Sequence, residues 1–82
     1  MWYVYIVRCR DGSLYTGVTN DLVKRLAAHN AGRGAKYIKP RRPVTMVYTE
    51  KQKARGMALA RECQIKRLCR RDKLAMIASV AK

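Results

Sequence analysis

The sequence predicts an α+β domain: a small three-stranded antiparallel sheet, made of a β-hairpin and a third strand, flanked by helices in the order ββαβαα. Three observations predict it. Residues 2–9 and 13–18 are dominated by β-branched and aromatic side chains and are separated by Asp11-Gly12, which is the pattern of two strands joined by a tight turn. A further strand-like run covers 44–49. Between and after these runs, apolar residues recur at helical spacings.

Each element has its own local reason. Gly12 supplies the positive φ that a hairpin turn needs, but two registers are open. A two-residue turn at Asp11 and Gly12 would set Arg8 opposite Tyr15. A three-residue loop of Arg10, Asp11 and Gly12 would instead set Val7 opposite Tyr15 and Tyr5 opposite Gly17, and a one-residue slip turns every side chain to the other face. Thr19-Asn20-Asp21 offers N-cap side chains for a helix running to about Asn30. That helix carries Leu22, Leu26 and His29 on one stripe and is ended by Gly32 and Gly34. Gly32 to Pro43 reads as a basic loop holding Lys36 and Tyr37. From about Gln52 to Arg70 a second helix repeats Ala58, Ile65 and Cys69, with Leu59 and Cys63 on another side that a second layer would cover. Asp72 then opens a short terminal helix with Leu74, Ile77 and Val80.

The 82 residues form one domain, 1–82, that buries about 60–65% of the surface its unfolded chain exposes. Nineteen Lys and Arg against five Asp and Glu give a net charge of +14. Self-repulsion at that density opposes folding without a counter-charge, so a polyanion is the expected partner. Nucleic acid, DNA foremost, fits best; a membrane does not, because the cations are spread over the whole chain instead of along one amphipathic helix. No secretory signal or long apolar run is present, and Cys9, Cys63 and Cys69 read as free, buried thiols of a cytoplasmic protein. With a single histidine and no Cys-x-x-Cys, a structural zinc site is not expected.

Five tyrosines occur and no phenylalanine. Rings that only filled a core would not need a hydroxyl that then has to be satisfied. Among the carboxylates, Asp11 belongs to its turn, Asp21 and Asp72 to helix starts, and Glu50 to the exposed end of the third strand. Glu62 falls on the Ala58/Ile65 stripe, where an apolar residue is expected and a carboxylate needs a partner. That partner is either Lys66, one turn later, or a divalent cation such as Mg²⁺, which often takes one carboxylate and completes its shell with water and phosphate oxygens.

Tyr3-Val4-Tyr5, Tyr15-Thr16-Gly17, Arg25, His29, the basic Gly-rich loop and Glu62, in that order, resemble the GIY-YIG endonuclease superfamily over essentially the whole chain. The likeness is to its short stand-alone bacterial branch, and more distantly to the N-terminal nuclease domain of the DNA-repair excinuclease. The resemblance implies phosphodiester cleavage with one divalent metal, Mg²⁺ or Mn²⁺, and a catalytic set of Tyr5, Tyr15, Arg25 and His29 with Glu62 as the metal ligand. Gly17, Lys36, Tyr37 and Lys66 are the candidate substrate-binding residues. In such a set, Arg25 and a metal on Glu62 stabilise charge on the phosphate from two directions. Tyr15, Tyr5 or His29 deals with the proton of the attacking water, with Tyr15 favoured and Tyr5 as its hydrogen-bond partner. The chain departs from the family pattern in three ways: Tyr3 stands where the first Gly is usual, Thr16 stands where Ile is usual, and no asparagine follows Glu62. A binding module of the same fold that does not turn over, on DNA or RNA, is the alternative, as is a nuclease that needs a protein partner to find its substrate.

Overall fold

The computed structural model describes residues 1–80. Strands β1 (Trp2–Arg8) and β2 (Leu14–Thr19) form the hairpin, and helix α1 (Leu22–Asn30) follows. A single 3₁₀ turn at Lys39–Arg41 punctuates the basic loop, and then come β3 (Thr45–Gln52), α2 (Arg55–Lys66) and α3 (Arg70–Val80). The sheet is antiparallel with strand order β2-β1-β3, so the hairpin's first strand is central and β2 is an edge. The predicted order ββαβαα is the observed one.

The hairpin adopts the three-residue loop. Cys9 N–H donates to the Ser13 carbonyl at 2.8 Å, Gly12 has φ +87°, and Asp11 accepts from both the backbone N–H and the hydroxyl of Ser13. Val7 therefore faces Tyr15 and Tyr5 faces Gly17. Tyr5, Val7, Tyr15 and Gly17 share one face of the sheet, with Val4, Ile6 and Val18 on the other.

Each face has its own core. Val4 and Ile6 pack with Ala58, Ile65 and Ile77, which brings α2 and α3 onto that face. Tyr5, Val7 and Cys9 pack with Ile38 and Val44 and with Leu22 and Leu26 of α1. Fully burying a side chain such as Ile6 or Ile65 contributes about 1.5–3 kcal/mol. Asp21 caps α1 as expected, accepting from Lys24 N–H at 3.0 Å.

Several expectations need correcting. Only Cys9 is buried; Cys63 on α2 is exposed, as is Leu59, because no second layer covers those sides of the helix, and Cys69 is exposed in the link between α2 and α3. The helix expected over 52–70 is shorter: β3 continues through Gln52, and the chain leaves α2 after Lys66 before α3 begins at Arg70, two residues ahead of Asp72. Glu50 is not a free strand end. It accepts hydrogen bonds from Tyr48 Oη at 2.9 Å, Gln52 Nε2 at 2.9 Å and Arg61 Nε at 2.9 Å, which ties β3 to α2.

Candidate active site

A cavity of 220 Å³ lies where the two layers meet around the edge strand β2. Tyr5, Tyr15 and Gly17 line it from one face of the sheet and Trp2 and Val18 from the other, with Arg25 of α1 and Arg55, Leu59 and Glu62 of α2. Four of the residues singled out from the sequence (Tyr5, Tyr15, Arg25 and Glu62) thus share one wall-to-wall space, together with Gly17. A larger hollow of 440 Å³ at Arg10, Asn30, Lys39 and Arg42 contains no carboxylate and none of these groups.

Tyr5 owes its position to the hairpin register. Its ring lies across Gly17, where a Cβ would come within 2.5 Å of the Tyr5 hydroxyl, so a glycine is needed opposite it. Gly17 was named as a candidate substrate-binding residue, and the group that its missing side chain admits is the Tyr5 ring. The hydroxyl meets His29 Nε2 at 2.7 Å and accepts from Arg25 Nε at 3.3 Å. It is not hydrogen-bonded to Tyr15, the partner expected from the sequence.

His29 is wholly buried, and its Nδ1 accepts from the Ala35 backbone N–H at 3.4 Å. Burial, helped by the Arg25 charge, holds the imidazole below its ordinary pKa and hence neutral. With Nδ1 accepting, the single ring proton sits on Nε2, which donates to the Tyr5 oxygen. That oxygen then receives two donors, and the phenol keeps its own proton for another acceptor. Burial raises the Tyr5 phenol above its ordinary value, against the lowering by the Arg25 hydrogen bond and charge; Tyr15 and Glu62 add to the rise.

Tyr15 is half-buried and meets His29 edge-on, with ring centroids 5.7 Å apart. It also stacks on Tyr37 at 6.1 Å, and the Arg41 guanidinium lies 4.0 Å from the Tyr37 ring centre. Tyr37 is therefore joined to the site through Tyr15 without lining the cavity itself. Lys36 is exposed in the loop and lies outside the cavity lining. Lys66 reaches the site only through its ion pair with Glu62 Oε2 at 3.5 Å.

Glu62 thus pairs with Lys66 and also lines the cavity. Among the described residues no three His, Cys, Asp or Glu side chains gather. A closed zinc or calcium cage is not on offer, because those ions need more protein ligands than one carboxylate. A single carboxylate with open space before it does fit a Mg²⁺-type ion, whose remaining ligands are water and substrate oxygens.

Sequence reasoning missed Trp2, Arg55 and Leu59. The signal for two of them was present: Arg55, Leu59 and Glu62 are spaced by four and three, one stripe of a helix. Trp2 gave none, since it belongs to the opposite face of β1 from Tyr5.

Comparison with known proteins bears on the family and the fold. The GIY-YIG catalytic domain profile matches residues 1–75. The UPF0213 proteins of Staphylococcus haemolyticus and Staphylococcus saprophyticus are 55% and 53% identical to the chain over 75 residues, which is 92% of this chain and 92% of each of theirs. Solution NMR structures of the UPF0213 protein BH0048 from Bacillus halodurans and of the protein EF2693 from E. faecalis superpose with TM-scores of 0.61 and 0.64. They are 40% and 41% identical, covering 95% and 96% of this chain and 84% of each of theirs. The catalytic domain is of nuclease type, and the substrate class it implies is nucleic acid. No helix among the described residues is long and apolar enough to cross a membrane. The chain belongs to the GIY-YIG family, within the stand-alone group of UPF0213 proteins.

Proposed function

We propose that the protein is a metal-dependent endonuclease or nickase acting on DNA. The observation that carries this reading is the single cavity lined by Tyr5, Tyr15, Arg25 and Glu62 in a chain of net charge +14. Hydrolysis of a phosphodiester builds negative charge on the nonbridging oxygens and on the leaving 3′ oxygen. A divalent ion held by Glu62, Mg²⁺ or Mn²⁺, supplies charge neutralisation at those oxygens when bound.

The chain's own residues divide the remaining work. Arg25 binds the scissile phosphate with the guanidinium donors not used by Tyr5. Tyr5 and His29 hold that guanidinium in place, so His29 acts through Tyr5 and not as a base exposed to water. Tyr15, the more open of the two tyrosines, orients the attacking water or, as the phenolate, takes its proton. Gly17 keeps room for the Tyr5 ring, and Lys36, Tyr37 and Lys66 contact the flanking strand. A cytoplasmic location belongs to the same reading.

The test is incubation of pure protein with plasmid, branched DNA and single strands, with Mg²⁺ or Mn²⁺ and with chelator. Cleavage is expected only with the metal. Arg25→Ala should lower the rate by roughly two to three powers of ten, the usual loss for one transition-state donor. Cleavage that survives Glu62→Ala unchanged would overturn the reading.

One observation favours a second reading: Glu62 already has a cationic partner in Lys66, and among the described residues no other carboxylate lines the cavity. A nucleic-acid-binding module that does not turn over would show salt-sensitive binding indifferent to Glu62→Ala, with no cleavage of any substrate.

A further inference from the structure

Arg55 is the first residue of α2 and stands two turns before Glu62 on the face that lines the cavity. Its guanidinium lies 5.7 Å from the centre of the Trp2 ring. Trp2 is packed in turn against the Val4/Ile6 core, so the platform under the guanidinium is fixed. Four other arginines spend donors internally, Arg41 on Asp11, Arg42 on Lys39, Arg61 on Glu50 and Arg70 on Gly12, whereas Arg55 lines the cavity with Arg25. The ion pairs among the described residues are Arg41–Asp11, Arg61–Glu50 and Lys66–Glu62, so Arg55 has no acidic partner there. Cation–π attraction to a ring draws a guanidinium into place without using its N–H donors, and its planar fork matches a phosphate bidentately.

Two guanidiniums thus enter one cavity from opposite layers of the fold, Arg25 from α1 and Arg55 from α2, against the one carboxylate of Glu62. Arg25 suffices for one phosphate. Resting on the nuclease reading above, we propose that Arg55, placed over Trp2, binds the phosphate next to the one held by Arg25. The cavity then grips two consecutive phosphates of a strand, and its substrate is a polynucleotide, not an isolated phosphodiester. Arg55 is a binding and specificity residue in this scheme; the chemistry stays with the Arg25 and Glu62 side.

The sequence provides its own reporter, because Trp2 is the only tryptophan. The experiment titrates the whole protein, in chelator, with a fluorescein-labelled single-stranded oligonucleotide over a range of salt, reading anisotropy. A parallel titration with the unlabelled strand reads tryptophan emission. Arg71→Gln, an exposed charge loss on α3 away from the cavity, is the matched control. Arg55→Gln is expected to weaken binding roughly tenfold more than Arg71→Gln and to lower the slope of log affinity against log salt by about 0.7–0.9. It should also abolish the emission change that the strand causes in the wild type. Arg55→Lys should keep the slope and lose affinity, since the charge remains but the planar fork does not. Arg55→Gln binding no worse than Arg71→Gln, or wild-type emission that ignores the strand, overturns the proposal. Because no arm requires turnover, the two readings fail separately. A protein that binds through Arg55 and never cleaves refutes the nuclease reading alone, and one that cleaves but is indifferent to Arg55 refutes this one alone.

Discussion

Thr16 carries a buried side-chain oxygen with no hydrogen-bond partner among the described residues, and it lies on the face of β2 that meets the Val4/Ile6 core. A desolvated, unpaired hydroxyl costs about 1–3 kcal/mol. Thr16→Val keeps the shape and the β-branching while removing that cost, so it is expected to stabilise the fold by about 1 kcal/mol, raising the melting temperature by about 4–8 °C in calorimetry. Individual residues were legible in the sequence when their chemistry clashed with their setting. Tyr5 had a hydroxyl where a phenyl would serve, Glu62 was a carboxylate on an apolar stripe, and Arg25 gained meaning from its place in an ordered set. What could not be read was who answers those groups. The Tyr5 hydroxyl is met by His29 and Arg25, which are 24 and 20 residues away, and by a Gly17 whose smallness serves that same ring.

At the scale of elements, the hairpin and the helices announced themselves through turn chemistry and periodicity, and of the two registers left open the observed one sets Tyr5 and Tyr15 on one face. The end of β3 was misjudged because a strand boundary depends on pairing. Glu50 and Gln52 look like loop residues, yet β1 offers Val4 and Trp2 as their partners. The same misjudgement hid the clamp between Glu50 and Arg61 that fixes α2, and with it Glu62 on the next residue of that helix. Burial alone would raise the Glu50 carboxyl, but the hydrogen bonds from Arg61 and Tyr48 prevail and hold it below its ordinary 4.5. A carboxyl with a lowered folded pKa stabilises above its unfolded value and loses that contribution as pH falls through the folded one. Glu50→Gln should therefore cost about 1 kcal/mol near neutral pH. The gap from wild type should close as the pH is taken below 4.5, as checked by urea unfolding across pH.

For the whole molecule, the governing quantity is the charge of +14 carried by 82 residues. It was fully legible, since it needs no fold to count, whereas its distribution was not: which cations face carboxylates and which stay open is decided by packing. Two consequences of opposite sign follow for added salt. Screening relieves self-repulsion, so the melting temperature of the free protein should rise with sodium chloride over the first few tenths molar. Affinity for a nucleic acid should fall over the same range, because each phosphate neutralised releases counterions into a solution that already holds more of them. Thermal scans and binding titrations in one salt series measure both, and a melting temperature that drops with salt would contradict the charge argument.

The unequal burial of the three thiols gives the fold a chemical clock. Cys63 and Cys69 are open to solvent, while Cys9, where the hairpin turns, is 3% exposed. A thiol-specific reagent should consume two sulfhydryls at once and the third only as fast as the hairpin opens. The slow phase therefore times the exposure of the strand on which Tyr5 is mounted, without any substrate being known. The fast pair carries a practical warning: in air, exposed thiols on a protein this basic will link molecules to one another, so a dimer seen without reductant is to be read as oxidation before it is read as assembly.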